Sequence, residues 1–128
     1  MYIISPNAAN EQIIIQVPHP CDDFIAPYIA VDIFTQTHSF AFMINSVGRE
    51  AQWSEEGEYS NNKSHSDPSR YPFSVFQKFQ EAVSSSLLGS EPHSPLIIAV
   101  HSFDNQTHLN RNSVILAAGG QKPFTTKP

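Results

Sequence analysis

Ile13-Ile14-Ile15-Gln16-Val17-Pro18-His19-Pro20-Cys21-Asp22-Asp23 is the stretch on which the reading of the chain turns. Its first five residues are β-branched apart from Gln16 and too few for a helix, as expected of a strand buried in an α/β sheet. Pro18 stops the ladder, since proline has no amide hydrogen to donate. Directly beyond the stop come a histidine and two carboxylates. In open α/β sheets ligands gather at the carboxyl ends of the strands, so this stretch predicts an architecture and a site together.

Downstream, Ile25, Tyr28, Ile29 and Ile33 recur at helical spacing, with Asp22 and Asp23 as candidate caps and Pro27 tolerable in a first turn. They predict a helix over 26–35. Phe40-Ala41-Phe42-Met43-Ile44 predicts a second strand. From 47 to 72 the composition turns to Gly, Ser, Asn, Glu and Lys without period, which reads as one long exposed loop of the kind that often carries function. Val75, Phe76, Phe79, Ala82, Val83 and Leu87 then line one helical face, closed by Gly89. Residues 96–100 (Leu-Ile-Ile-Ala-Val) predict a third strand and residues 113–118 a fourth. Upstream, Pro6-Asn7-Ala8-Ala9-Asn10 reads as a polar lead-in.

The order β-α-β-loop-α-β-β predicts an α/β fold, a mostly parallel or mixed sheet with flanking helices, because parallel neighbours need crossover connections. With 128 residues and 40% hydrophobic residues the chain has material for a single domain, 1–128. Four strands and two helices are few for a complete α/β domain. A net charge of -5, without a Lys/Arg cluster on any periodic segment, argues against nucleic acid as a partner. No apolar run is long enough to cross a bilayer, which argues against a membrane role. The single cysteine, Cys21, and a start lacking a basic, then apolar, leader predict a cytoplasmic setting.

His19 and Asp22 stand in His-x-x-Asp spacing, and the third strand delivers His101-Ser102-Phe103-Asp104 at its own carboxyl end. An imidazole pair and one carboxylate are a ligand set that a catalytic zinc takes while leaving a position open for water. The predicted set is therefore His19, Asp22 and His101, with Asp23 competing with Asp22. Plainer readings stay open: either aspartate could cap the following helix, and His101 could bond a backbone carbonyl. Arg70, in Ser66-Asp67-Pro68-Ser69-Arg70-Tyr71-Pro72, offers a planar fork for a substrate carboxylate, or else an ion pair to Asp67. Arg49 could serve the same purpose; Arg111, in a polar turn, is weaker. His65 and His108 are held in reserve near the site loops, and Cys21, between Pro20 and two aspartates, is disfavoured as a thiolate nucleophile and could instead be a soft metal ligand.

Taken together, His19, Asp22, Asp67-Pro68-Ser69-Arg70 and His101-Ser102-Phe103 resemble the motifs of the zinc carboxypeptidase-like hydrolases, including the N-formylglutamate amidohydrolase and poly-gamma-glutamate hydrolase branches. The resemblance covers about residues 13–118. It implies one zinc ion on His19, Asp22 and His101, and Arg70 as the holder of a substrate carboxylate. It further implies a small carboxylate-bearing amide, such as an N-acyl amino acid or a peptide C-terminus, as substrate. The chain departs from the family pattern at Asp22, where Glu is usual, and at Ser69, where Asn is usual. No Asp or Glu follows Asp104, although the family's general base comes from a later strand.

Two expectations follow from that last departure. Either the chain is a partial or divergent member resembling the first half of such a domain, or Asp104 takes the base role. The functional expectation is a metal-dependent amidohydrolase or carboxypeptidase-like activity, impaired where the base is missing. The alternative is a non-catalytic binding or scaffold module derived from that fold. A truncated sheet would leave an open edge and apolar surface, predicting self-association or a partner that completes it.

Overall fold

The computed structural model describes residues 1–54, 63–88 and 95–102. Within them lie β1 (Tyr2–Ile4), β2 (Asn10–Val17), α1 (Ala26–Thr37), β3 (Ser39–Ile44), β4 (Trp53–Ser54), β5 (Lys63–Ser64), α2 (Val75–Leu88) and β6 (Leu96–Ala99). β1, β3, β2 and β6 form a four-stranded sheet in that order, and β4 and β5 pair as a separate two-stranded ribbon. β2 runs parallel to both β3 and β6, while β1 is antiparallel to β3. The sheet is therefore mixed, and the fold is a small α/β one.

The alternation of β2 assigns its two faces. Ile14 packs with Ala41, Met43, Phe76, Val83 and Leu87, so α2 covers that side. Ile15 and Val17 pack with Ala26, Ala30, Phe42 and Val100, so α1 covers the other. Ile14, Ile15 and Val17 are fully buried, and each contributes about 1.5–3 kcal/mol by leaving water. Such a run of apolar residues is the pattern of a strand covered on both faces.

α1 differs from its sequence reading in which stripe it buries. The apolar spacing suggested Ile25, Tyr28, Ile29 and Ile33, yet Ala26 and Ala30 are the buried residues, flanked by partly buried Ile33 and Phe34. Phe24, Ile25, Tyr28, Ile29 and Val31 are exposed. Alanine lets the helix approach the sheet closely, so the small residues took the interface and turned the larger ones outward. The helix ends at His38, whose left-handed φ of 48° lets its backbone amide reach the carbonyls of Phe34 and Thr35 before β3 begins.

Two further differences concern short strands. β1 extends the sheet where no strand was expected, held by the Ile3 to Phe42 register and by Tyr2 stacking 4.3 Å from Phe79 of α2. The stretch 47–72, expected to be one structureless loop, contains β4 and β5 paired Trp53 to Ser64. Its end turns inward, with Asp67 and Pro68 buried. Pairs of two or three residues carry no readable alternation, so only their tertiary partners define them. Residues 113–118, Gly89 and the fourth expected strand lie outside the described residues. Among the described residues no helix is long and apolar enough to cross a membrane.

Candidate metal centre

Because β2, β3 and β6 are parallel neighbours, all three carboxyl ends emerge on the same side of the sheet. The ladders continue one step past the strands: the Val100 amide donates to Gln16 at 2.9 Å, and the Asn45 amide to Val17 at 3.0 Å. His19 follows β2, His101 follows β6, and Arg49 sits in the connection beyond β3. The register thus sets the rings of His19 and His101 with centroids 5.0 Å apart, although the two residues are far apart in sequence.

The turn after Pro18 is built on His19 itself, whose carbonyl accepts the amides of Asp22 and Asp23 at 3.1 and 2.8 Å. This tight turn points consecutive aspartates different ways. Asp23 goes inward, 4% exposed, where its Oδ2 lies 3.0 Å from His101 Nδ1 and its Oδ1 accepts from Ser102 Oγ at 3.2 Å. Asp22 stays at the surface, where its Oδ2 accepts the Arg49 amide at 3.2 Å and pairs with Arg49 Nε at 3.3 Å. The group that converges is therefore His19, Asp23 and His101, each offering one ligand atom within 4.8 Å of the others. Asp22, placed in the ligand set by its spacing from His19, lies outside that group because its carboxylate holds Arg49. Neither aspartate caps α1 through its side chain, since the N-cap is Ile25 without a side-chain bond.

His19 is 5% exposed, and its two ring nitrogens have different surroundings. Nε2 lies 2.8 Å from Asp67 Oδ1. An ionised carboxylate only accepts, so Nε2 carries the hydrogen and donates it, leaving the lone pair of the neutral ring on Nδ1. Nδ1 is buried without a hydrogen-bond partner and faces Asp23 Oδ2 at 3.9 Å. Two electron-rich atoms facing each other in a buried site are an unfavourable pair until a cation joins them. Metal bonds of about 2.0–2.2 Å put neighbouring ligand atoms some 3–4 Å apart, which this gap matches. Burial pushes the His19 pKa below its ordinary value, against the upward pull of Asp67, and Arg49 and His101 lower it further. A neutral imidazole is the form a metal needs.

The described residues thus fit one divalent ion, with Asp67 as the outer carboxylate that fixes the tautomer and orientation of a ligating histidine. His101 is exposed, so the centre opens to solvent on its side. Asp67 and Asp23 are the two residues whose parts were under-read from sequence. Asp67 appeared only as a partner for Arg70, and its position at the start of a turn, accepting the Ser69 amide at 3.0 Å, was the available signal.

The two arginines take different positions. Arg49 Nη2 is 3.6 Å from Asp23 Oδ1, at the centre itself. Arg70 Nε is 3.6 Å from Asp67 Oδ2, one carboxylate behind His19, and it lines an open depression with Pro68, Phe73 and Gln77. His65 stacks on Tyr71, with centroids 4.3 Å apart, rather than entering the group. Asp104, Phe103, His108 and Arg111 lie outside the described residues. Comparison with family models, with curated proteins and with solved structures yields no match.

Proposed function

We propose that this chain is a metal-dependent hydrolase of an amide bond close to a carboxylate, centred on one zinc ion held by His19, Asp23 and His101. The observation that carries the reading is the buried, unpartnered Nδ1 of His19 facing Asp23 Oδ2. A divalent ion bound there would supply a Lewis acid for the carbonyl and a water-derived nucleophile at neutral pH. Asp67 keeps His19 in the ligating tautomer, and Ser102 holds the outer oxygen of Asp23. Arg49 and Arg70 are the cations available to a substrate carboxylate, Arg49 being the one in contact with a ligand residue. Asp104, three residues past His101, is assigned the proton transfer to the leaving amine, a role the general base must fill. The resemblance to zinc carboxypeptidase-like hydrolases supports the substrate class of N-acyl amino acids or peptide C-termini.

The test is elemental analysis of the purified chain after dialysis against a weak chelator, followed by hydrolysis of N-acyl amino acids. Near-stoichiometric zinc that is lost in His19→Ala, with turnover, supports the reading. Zinc without turnover supports a metal-holding binding module instead. A folded chain that retains no metal overturns the centre.

A further inference from the structure

Asp23 is one carboxylate with two sets of partners. Its Oδ2 faces His101 and His19, while its Oδ1 faces Ser102 and the guanidinium of Arg49. Arg49 is anchored from the other side, by Nε and by its own amide, to Asp22 Oδ2. Arg49 therefore supplies the full positive charge that offsets buried Asp23, and it does so from a side chain that is still one-third exposed.

We infer that Arg49 couples metal to anion at this centre: it competes electrostatically with the ion for Asp23, and a carboxylate that binds its exposed edge relieves that competition. This rests on the metal-centre reading above. A dication joining His19, Asp23 and His101 brings two positive charges next to the guanidinium, and only one of the two neighbouring aspartates, Asp22, remains free to offset Arg49. The repulsion lowers metal affinity. A ligand carboxylate accepting from the outward Nη groups restores the balance, because guanidinium and carboxylate match as two forks. By linkage, whatever the carboxylate does for the metal, the metal does for the carboxylate. Asp22 is the residue that keeps Arg49 from closing fully onto Asp23, which gives the outer aspartate a purpose that ligation does not.

The experiment measures zinc affinity at fixed free metal, with and without acetate, for the unaltered chain, Arg49→Gln, Arg49→Lys and Asp22→Asn. Removing one charge beside a dication at a partly exposed site is worth about tenfold in affinity. Arg49→Gln is therefore expected to bind zinc about tenfold more tightly than the unaltered chain and to lose its response to acetate. Arg49→Lys keeps the charge and stays near the unaltered affinity. Asp22→Asn, which frees the guanidinium to turn onto Asp23, binds zinc more weakly. Equal zinc affinity and equal acetate response in Arg49→Gln and the unaltered chain would overturn the coupling while leaving the metal centre intact. Absence of zinc binding in every form would overturn the centre and the coupling together.

Discussion

His19 and Asp67, 48 residues apart, form a buried hydrogen bond of 2.8 Å between Nε2 and Oδ1. This contact decides which nitrogen of His19 is left for chemistry. It also ties the turn at Asp67–Arg70 to the end of β2, since the amides of Arg70 and Tyr71 both return to the Asp67 carbonyl.

If Asp67 orients a ligand, Asp67→Asn weakens zinc binding by about 10–100-fold, the usual cost of losing an outer-shell partner. A competitive titration against a chromophoric chelator measures it. An affinity unchanged within twofold would mean that the bond serves only the loop.

The two adjacent aspartates are expected to separate cleanly. Asp23→Asn abolishes stoichiometric zinc, whereas Asp22→Asn weakens binding and keeps a metal-dependent gain in thermal stability. A gain of about 2.7 kcal/mol is expected at a hundred times the dissociation constant. Thermal unfolding with and without zinc distinguishes the pair, and equal loss in both variants would contradict the placement of Asp22 at the surface.

The metal-free chain is expected to lose stability on acidification. Burial holds the folded His19 pKa below the ordinary value of 6.5, so below that pH the unfolded chain binds a proton that the folded chain refuses. Stability is present in full above 6.5 and falls as the pH drops toward the lowered folded value. Urea unfolding at pH 7.5 and at pH 5.5 reads this directly, and His19→Gln should flatten the slope. A slope identical in both proteins would place the acid sensitivity elsewhere.

Truncation of the covered strand should be far costlier than truncation of the outer helix face. Ile14→Ala, at a fully buried site, is expected to cost about 2–5 kcal/mol. Tyr28→Ala, at a side chain 76% exposed, should stay within about 0.5 kcal/mol in the monomer. Denaturant midpoints at low and high protein concentration compare them; a large loss for Tyr28→Ala that grows with concentration and shrinks on dilution would show that α1 is covered by a second molecule.

The strand of 13–17, the helix beginning at Ala26, the amphipathic α2 and the strand beginning at Leu96 were all legible, because each carries its own period or apolar run. So were the paired histidines, since each directly follows a strand. The partnering of Asp67 with His19 was not legible, and neither was the division of labour between Asp22 and Asp23. Spacing marks Asp22 as the ligand, but spacing cannot register that the His19 carbonyl folds the chain so that the next residue points inward.

By itself the sequence determined the element types and the position of histidine and carboxylate just beyond the strands, because hydrophobic period and proline placement act over a few neighbours. The tertiary structure alone decided which carboxylate is buried, which nitrogen of His19 keeps its lone pair, and which arginine stands at the centre. These depend on parallel register and on contacts between residues distant in the chain, where one hydrogen bond or one ion pair selects among arrangements that local patterning leaves equivalent.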